Sequence, residues 1–377
     1  MVGQMETTVI KLESGRALKK AVQEAAKAWA RGGLVVFPTE TVYGVGAAVE
    51  PEGGWERLVE VKQRPEDKAF TLHLGDAAQV SKYVGRVGLL DRCFLRQAWP
   101  GPVTVVFELG QEQWAQVRKE WSDRLAARLY YDRTIGVRVP DHDGARAVLA
   151  GAKGPVVASS ANVAGGPAPV TCEEAMAQLA GKVELALDGG PSRFARASTV
   201  VRLTRMGLSV LRAGVLDQGA IERMRRATVL FVCTGNSCRS PMAEGLWRTG
   251  LAEKLGCRVD ELEQKGYRVV SAGMLAYSGM PASPEAVQVC RERGADISSH
   301  RAQLLTPELL GQVDLVYVME GGHRRAVAGL APHRAAQTAL LCRDGELEDP
   351  IGQGLEAYQA CVERIASAVK ERLEEVL

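Results

Sequence analysis

An α/β architecture in two successive domains is the fold class that this sequence predicts, and three observations predict it. The chain has 377 residues, more than one hydrophobic core usually serves. Short apolar runs of strand length alternate with helix-length amphipathic stretches on both sides of residue 226. Between Leu211 and Ala227 the pattern breaks and restarts. Gly214 ends an alternating stretch over 198–212 that reads as a strand pair, and Asp217 can cap a short polar helix ending in Arg223, Arg225 and Arg226. A new apolar strand begins at Thr228. These signals divide the chain into a domain over 1–215, a linker over 216–227 and a second domain over 228–377.

Bulk properties narrow the class. Apolar residues make up 46% and charged residues 24% of the chain, as in an ordinary globular protein. No apolar run approaches the ~18 residues of a membrane span, and the N-terminus has no signal-peptide pattern, so the expected location is the cytoplasm, away from membranes. Eight scattered cysteines without CxxC spacing suit reduced thiols rather than a disulfide framework. The net charge of +2 conceals an asymmetry: residues 1–226 carry 31 Lys+Arg against 25 Asp+Glu, and residues 227–377 carry 16 against 20. The basic half suits anionic ligands, nucleotides and RNA alike.

In chain order, residues 33–46 (Gly-Leu-Val-Val-Phe-Pro-Thr-Glu-Thr-Val-Tyr-Gly-Val-Gly) read as a buried strand running into a hydroxyl-rich loop punctuated by glycine. Residues 61–73 then gather Lys62, Arg64 and Lys68, a cation set that suits a triphosphate. No Walker A sequence exists, so an ATP site here is of another kind. Further signals follow: Trp99-Pro-Gly-Pro-Val-Thr104, Thr134-Ile-Gly-Val-Arg-Val-Pro140, Ala158-Ser-Ser-Ala-Asn162, Ser198-Thr-Val-Val201 and Leu211-Arg212.

In this order and spacing, residues 10–215 resemble the threonylcarbamoyl-AMP synthase (YrdC-like) family. The resemblance implies a twisted α/β sheet around a large cavity. It also implies a reaction in which L-threonine, bicarbonate and ATP give threonylcarbamoyl-AMP and pyrophosphate, in partnership with tRNA-modification proteins. Carried over by position, Thr41, His73, Arg138 and Ser198 contact threonine, with Arg138 on its carboxylate. Lys62, Arg64, Lys68, Thr134, Ser160 and Arg212 hold ATP, with Mg2+ expected on the phosphates. Two positions depart from the family: Lys68 stands where Asn is frequent, and Ala168 where a Ser commonly contacts the nucleotide. No residue reads as a covalent nucleophile, so proximity and charge neutralisation are the expected means.

In the second half a strand over 228–232 runs into Cys233-Thr-Gly-Asn-Ser-Cys-Arg239, and Ser240-Pro241 opens a helix. Inward N–H groups at a helix N-terminus make a nest for a phosphate dianion, and Gly235 is expected to supply the freedom for the turn. Arg239 would clamp phosphoryl oxygens, and the same field would favour the Cys233 thiolate. Pro241 fits the start of a helix, where its missing N–H is not needed. Far along the chain Glu348-Asp349-Pro350 offers a carboxylate that the proline keeps out of a helix. A regular strand and helix alternation then ends in an amphipathic C-terminal helix.

Residues 229–244 resemble the low-molecular-weight protein-tyrosine-phosphatase family, over 228–377, with a doubly wound parallel sheet. The resemblance makes Cys233 the nucleophile, Arg239 the clamp and Asp349 the general acid. Thr234, Gly235, Asn236, Ser237 and Cys238 form the phosphate loop with Ser240, which hydrogen-bonds the thiolate, and Asn236 braces it. Cys238 is either an oxidation partner of Cys233 or a packed thiol.

Tyrosine phosphatases of this family carry an aromatic pair after the Asp-Pro and a bulky aliphatic residue before the second loop cysteine. Here Ile351-Gly352 and Ser237 stand there, as in bacterial protein-arginine phosphatases, so phosphoarginine on a protein is the favoured substrate and phosphotyrosine the alternative. Arsenate reductases share the loop, but their relay cysteines have no counterpart in Glu320-Gly-Gly-His-Arg-Arg325. A non-enzymatic reading also stands: a basic module that binds double-stranded RNA or tRNA, joined to a phosphatase. Two independent activities in one fused chain remain the simplest organisation.

Overall fold

The computed structural model describes residues 6–63, 69–204 and 207–377. Its contacts group residues 1–87 with 95–224 as one compact unit, and residues 88–94 with 225–377 as a second.

The first unit holds ten strands: β1 (Thr8–Lys11), β2 (Val35–Phe37), β3 (Gly44–Ala48), β4 (Thr71–His73), β5 (Val103–Glu108), β6 (Thr134–Arg138), β7 (Val156–Ser160), β8 (Leu185–Asp188), β9 (Thr199–Thr204) and β10 (Gly207–Arg212). They form one mixed sheet in the order β1-β8-β2-β3-β7-β4-β6-β5-β9-β10. The stretch 33–46 is thus not one strand. It is an antiparallel pair, Val35↔Gly46 to Phe37↔Gly44, with the Thr39-Glu40-Thr41 turn between. Glycine suits the second strand, because a Cβ on Gly46 would lie 3.1 Å from the Phe37 ring and 3.1 Å from the Val157 carbonyl oxygen, tighter than an ordinary contact. The alternating stretch 198–212 is the antiparallel pair β9–β10, whose buried and half-exposed residues alternate along β9. The helix Arg16–Ala30 buries Ala21, Ala25 and Trp29, at i, i+4 and i+8, against β2, β3 and β8.

The linker helix is present as Gln218–Met224, and the Asp217 carboxylate accepts the Ala220 N–H at 2.7 Å. The second unit is built on β11 (Ala227–Cys233), β12 (Tyr267–Gly273), β13 (Leu315–Val318) and β14 (Thr338–Leu340), all parallel in the order β12-β11-β13-β14. Every residue of β11 is buried. Val229, Phe231 and Cys233 point into one core, while Leu230 and Val232 point into another on the opposite face. A two-sided parallel sheet is why this strand reads as an unbroken apolar run. The C-terminal helix Leu355–Val376 buries Tyr358, Cys361, Val362, Ile365, Ala368, Val369 and Leu373, one helical stripe, against the helix Arg239–Leu255. Among the described residues no helix is long and apolar enough to cross a membrane.

Candidate active sites

In the first unit the turn between β2 and β3 delivers hydroxyls to Arg138, the last residue of β6. The Arg138 guanidinium is buried and donates through Nη2 to Thr41 Oγ1 at 2.5 Å, Thr39 Oγ1 at 3.3 Å and Glu40 Oε1 at 2.9 Å. Glu40 is itself buried and its other oxygen accepts the Asp141 N–H at 2.9 Å, so the pair is held on both sides. Arg138 Nε is buried with no hydrogen-bond partner. It is a donor without an acceptor, as a site for a carboxylate requires.

His73 lies beside Arg138 in register across β4 and β6. Its Nδ1 is 3.0 Å from the Thr71 carbonyl, which can only accept, so Nδ1 carries the proton and Nε2 is left as the acceptor. Burial, and then the Arg138 charge, push the imidazole down to about 3, which keeps it neutral. Ser198 lies with its hydroxyl 2.9 Å from Thr104 Oγ1 and takes Arg212 Nη2 on its carbonyl at 2.8 Å. Burial and the Arg138 charge both lower Arg212. The structure therefore brings Thr41, His73, Arg138, Ser198 and Arg212 together.

Lys62, the last residue of the helix Gly54–Lys62, donates to the carbonyls of Ser160 at 2.9 Å and Asn162 at 2.6 Å and to Asn162 Oδ1 at 2.9 Å. That joins Lys62 to Ser160, whose hydroxyl also bonds Asn162. Thr134 stands apart from both groups. Its hydroxyl donates to the Tyr131 carbonyl at 2.6 Å, closing the turn before β6. It nonetheless shares a sheet face with Arg138, four residues and about 13 Å along the strand, with Gly136 leaving the ground between them low. Arg64 and Lys68 lie outside the described residues. Among the described residues no group of three His, Cys, Asp or Glu side chains is placed to hold a metal ion.

In the second unit β11 delivers Cys233 to the carboxyl end of the sheet. Asn236, wholly buried, organises the loop from a left-handed conformation with φ 53°. This corrects the expectation for Gly235, whose φ is not positive; the left-handed turn falls one residue later, on the side chain type that best tolerates it. Asn236 Nδ2 donates to Ser240 Oγ at 2.9 Å and Ser271 Oγ at 2.8 Å, and its Oδ1 accepts the Gln303 N–H at 2.9 Å. His300 Nε2 donates to its carbonyl at 2.8 Å. Ser271 in turn donates to Glu244 at 2.7 Å. Because Ser240 Oγ accepts from Asn236, its own proton is left for Cys233 Sγ, 2.9 Å away, and the Asn236 N–H also reaches the sulfur at 3.2 Å. Gly273 permits the close approach of β12, since a Cβ there would meet Thr234 O at 2.7 Å and Asn236 N at 2.8 Å.

Burial pushes the Cys233 thiol up, against the lowering effects of the Ser240 hydroxyl, the Asn236 N–H and Arg239. The sequence leads us to expect a thiolate favoured by the field of the loop and Arg239; in the structure burial of the sulfur outweighs these influences, and the Arg239 charge has other partners. Arg239 is 1% exposed and its guanidinium is engaged by the carboxylates of both Asp349 and Glu320, besides the Leu347 carbonyl at 2.8 Å. Its charge is thus shared before it reaches the sulfur. Its Nε, like that of Arg138, is buried without a hydrogen-bond partner. Asp349 lies on an irregular segment, 37% exposed, and meets Arg239 directly. Ser237 makes one long side-chain contact, 3.5 Å to Cys238 Sγ, and Cys238 packs 3.1 Å from the Tyr358 hydroxyl. All eight cysteines are free thiols.

Sequence reasoning passed over several neighbours. Glu320 caps the helix Gly321–Leu330, and its N–H donates to His323 Nδ1 at 3.2 Å. The proton of His323 therefore sits on Nε2, which faces Thr234 Oγ1 at 3.0 Å. Leu275, whose N–H bonds the Thr234 carbonyl, and Tyr277 leave large apolar side chains exposed just beyond the loop. The composition of 274–280 carried the only available signal, an exposed aromatic in a loop after a buried strand.

A family model described as "Telomere recombination", the Sua5/YciO/YrdC group, matches residues 27–214, and one described as "Low molecular weight phosphotyrosine protein phosphatase" matches residues 228–377. Over 179 residues the chain is 32% identical to a threonylcarbamoyl-AMP synthase of Chromohalobacter salexigens, covering 48% of this chain and 90% of that one. It is 32% identical to the Pyrococcus abyssi threonylcarbamoyl-AMP synthase over 193 residues, 51% of this chain, but spans only about half (54%) of that relative's length. Over 147 residues it is 40% identical to a probable low molecular weight protein-tyrosine-phosphatase, EpsP, of Ralstonia nicotianae, covering 38% of this chain and 90% of that one. The crystal structure of P. abyssi Sua5 complexed with L-threonine shares the fold, with a TM-score of 0.50 and 22% identity over 71% of this chain and 92% of that one. Two enzyme families thus meet end to end in one polypeptide, which belongs through its first half to the Sua5/YciO/YrdC synthases and through its second to the low-molecular-weight protein phosphatases.

Proposed function

We propose that the chain is a bifunctional enzyme. Its first unit would make threonylcarbamoyl-AMP from L-threonine, bicarbonate and ATP, for tRNA threonylcarbamoyladenosine formation with partner proteins. Its second would remove phosphate from phosphorylated proteins, phosphoarginine being the favoured substrate. One observation supports both halves: a buried arginine Nε without a partner, Arg138 in one site and Arg239 in the other, each a donor suited to an anion.

In the synthase, Arg138 Nε would take the threonine carboxylate, with the Thr41 hydroxyl and neutral His73 about the amine and Ser198 nearby. The threonine ammonium gives up a proton, and the resulting amine and bicarbonate give a carbamate with loss of water. A carbamate oxygen then attacks the α-phosphorus of ATP, and the bond to the bridging oxygen breaks as pyrophosphate leaves. The Lys62, Ser160 and Thr134 end of the sheet would hold the nucleotide together with Arg212, Arg64 and Lys68. Mg2+ would travel on the phosphates. Lys62 and Arg138 turn toward interior partners rather than an open face, which favours a small anionic ligand over an RNA backbone.

In the phosphatase, Cys233 would attack phosphorus while Asp349 protonates the leaving group, and Asp349 would then activate water against the thiophosphate. Ser237, with its lightly engaged hydroxyl, supports a guanidino leaving group. A phosphotyrosine reading has its own support in the exposed Tyr277, which could flank an aryl ring.

Two assays on the purified chain test these readings. Pyrophosphate release that needs both threonine and bicarbonate, and fails in Arg138→Ala, is expected; RNA binding without such release would favour the non-enzymatic reading. Phosphate release should be faster from phosphoarginine than from phosphotyrosine peptides, absent in Cys233→Ser and shifted toward phosphotyrosine in Ser237→Ile. Preference of the wild-type chain for phosphotyrosine would overturn the arginine assignment.

A further inference from the structure

We infer that Glu320 is the specificity residue for a cationic leaving group: its carboxylate, released from Arg239 when a phosphoryl group arrives, pairs with the guanidinium of the departing arginine. The inference rests on the phosphoarginine reading and adds to it a residue that neither the loop nor the Asp-Pro segment contains.

The argument starts from charge. Arg239 has a single guanidinium, and without substrate it faces two carboxylates, Asp349 and Glu320. Arg239 is 1% exposed, whereas the side chains of Glu320 and Asp349 are 34% and 37% exposed, so the cation lies inside and the two anions stand at the mouth. A phosphoryl dianion in the Cys233 loop claims the Arg239 fork, because bidentate pairing to phosphate oxygens is its strongest geometry. Both carboxylates then lose their partner. Asp349 can escape by being protonated, which is the form a general acid needs. Glu320 has no such role, and Arg239 is the cation that its carboxylate meets.

An unpaired carboxylate beside a phosphate dianion is unfavourable, and its cost depends on the leaving group. A phosphotyrosine brings an uncharged ring and leaves that repulsion in place. A phosphoarginine brings a cationic guanidino group, which is a guanidinium again once it has departed and been protonated. Cys233 Sγ forms a bond to phosphorus and the P–N bond breaks. Its electron pair stays on the guanidino nitrogen, which takes the proton from Asp349, and the resulting guanidinium meets Glu320. Attraction to Glu320 is present in the bound substrate and is kept as the P–N bond lengthens and the guanidinium separates from the phosphoryl group, so it contributes to kcat/KM.

The fold places Glu320 for this. β13 runs parallel beside β11 with Val318 opposite Val232, and the Met319 N–H bonds the Val232 carbonyl at 3.2 Å. Glu320 therefore emerges at the carboxyl end of the sheet, next to the loop that begins at Cys233. The Glu320 N–H, through His323, is tied to Thr234 of that loop.

The test compares the full chain with Glu320→Gln and Glu320→Asp on phosphoarginine and phosphotyrosine peptides of one sequence. The ratio of kcat/KM for phosphoarginine over phosphotyrosine should fall at least about tenfold in Glu320→Gln and recover partly in Glu320→Asp. Inhibition by inorganic phosphate should tighten in Glu320→Gln, because one competitor for Arg239 has gone, and this also reports that the loop is folded. Equal losses on both substrates would mean that Glu320 only positions Arg239, and an unchanged ratio would mean that it does not read the leaving group; either overturns the inference. A wild-type ratio below one would instead defeat the phosphoarginine reading beneath it.

Discussion

Replacing Asn236 with alanine should cost the second unit about 4 kcal/mol and disable its loop. The side chain makes three hydrogen bonds of 2.8 to 2.9 Å, to Ser240, Ser271 and the Gln303 N–H, in a site with no solvent exposure. At about 1 kcal/mol each they contribute about 3 kcal/mol. Alanine at φ 53° adds about 1 kcal/mol of backbone strain that asparagine largely avoids. With a urea dependence of about 2 kcal/mol per molar, the midpoint for loss of phosphatase activity should fall by about 2 M. Activity in the absence of urea should also fall, because Ser240 loses the donor that turns its proton toward the Cys233 sulfur. Asn236→Gly separates the two contributions: it keeps the backbone at ease and loses only the bonds, so its midpoint should lie between wild type and Asn236→Ala. A midpoint within about 0.5 M of wild type for Asn236→Ala, with activity retained, would refute the view that this side chain holds the loop.

Gly273→Ala should abolish phosphatase activity while leaving threonine-dependent pyrophosphate release intact, because the added Cβ would strike only backbone atoms of the loop, Thr234 O at 2.7 Å among them. Lys62→Met should raise the KM for ATP with a smaller effect on that for threonine, measured by pyrophosphate release, since Lys62 is joined to Ser160 and not to Arg138. His73 predicts a pH dependence of stability. Its folded pKa of about 3 lies below its ordinary value of 6.5, so between these the unfolded chain binds more protons and stability falls as pH drops. Thermal unfolding of the first unit should show that slope, and His73→Gln should flatten it.

Much of this was legible in local sequence because the chemistry is local. Cys233 to Pro241 is one strand end, one nest and one helix start, so spacing alone fixes which groups converge. The strand pair over 198–212 and the linker helix capped by Asp217 were equally readable, as each depends on neighbours within a few residues. What stayed hidden depends on the sheet. Glu320 and His323 reach the loop only because β13 lies beside β11, which no spacing reveals across more than eighty residues. Arg138 binds Thr41 across 97 positions, and the ion pair with Glu40 inside the same turn gave no sign in the sequence. The freedom for the loop turn is expected of Gly235, whereas the left-handed conformation falls on Asn236, whose side-chain bonds stabilise it. Thr134 has the expected neighbours in sequence, yet its hydroxyl is engaged in closing a turn.

The strand order of the first unit also bears on how the chain acquires its structure. β8, at residues 185–188, lies between β1 and β2, and β9, at 199–204, completes the far side of β5. A nascent chain released only as far as residue 180 would therefore hold three early strands with bare edges, and nothing local could cover them. Closure must wait for a segment made long after its partners, a topology associated with slow folding and with exposure to wrong pairings. The second unit has no such delay at its start, since β11 and β12 are neighbours in both sequence and sheet. During synthesis the first unit is thus the one most in need of protection by chaperones, and its most vulnerable interval ends when residues 185–204 leave the ribosome.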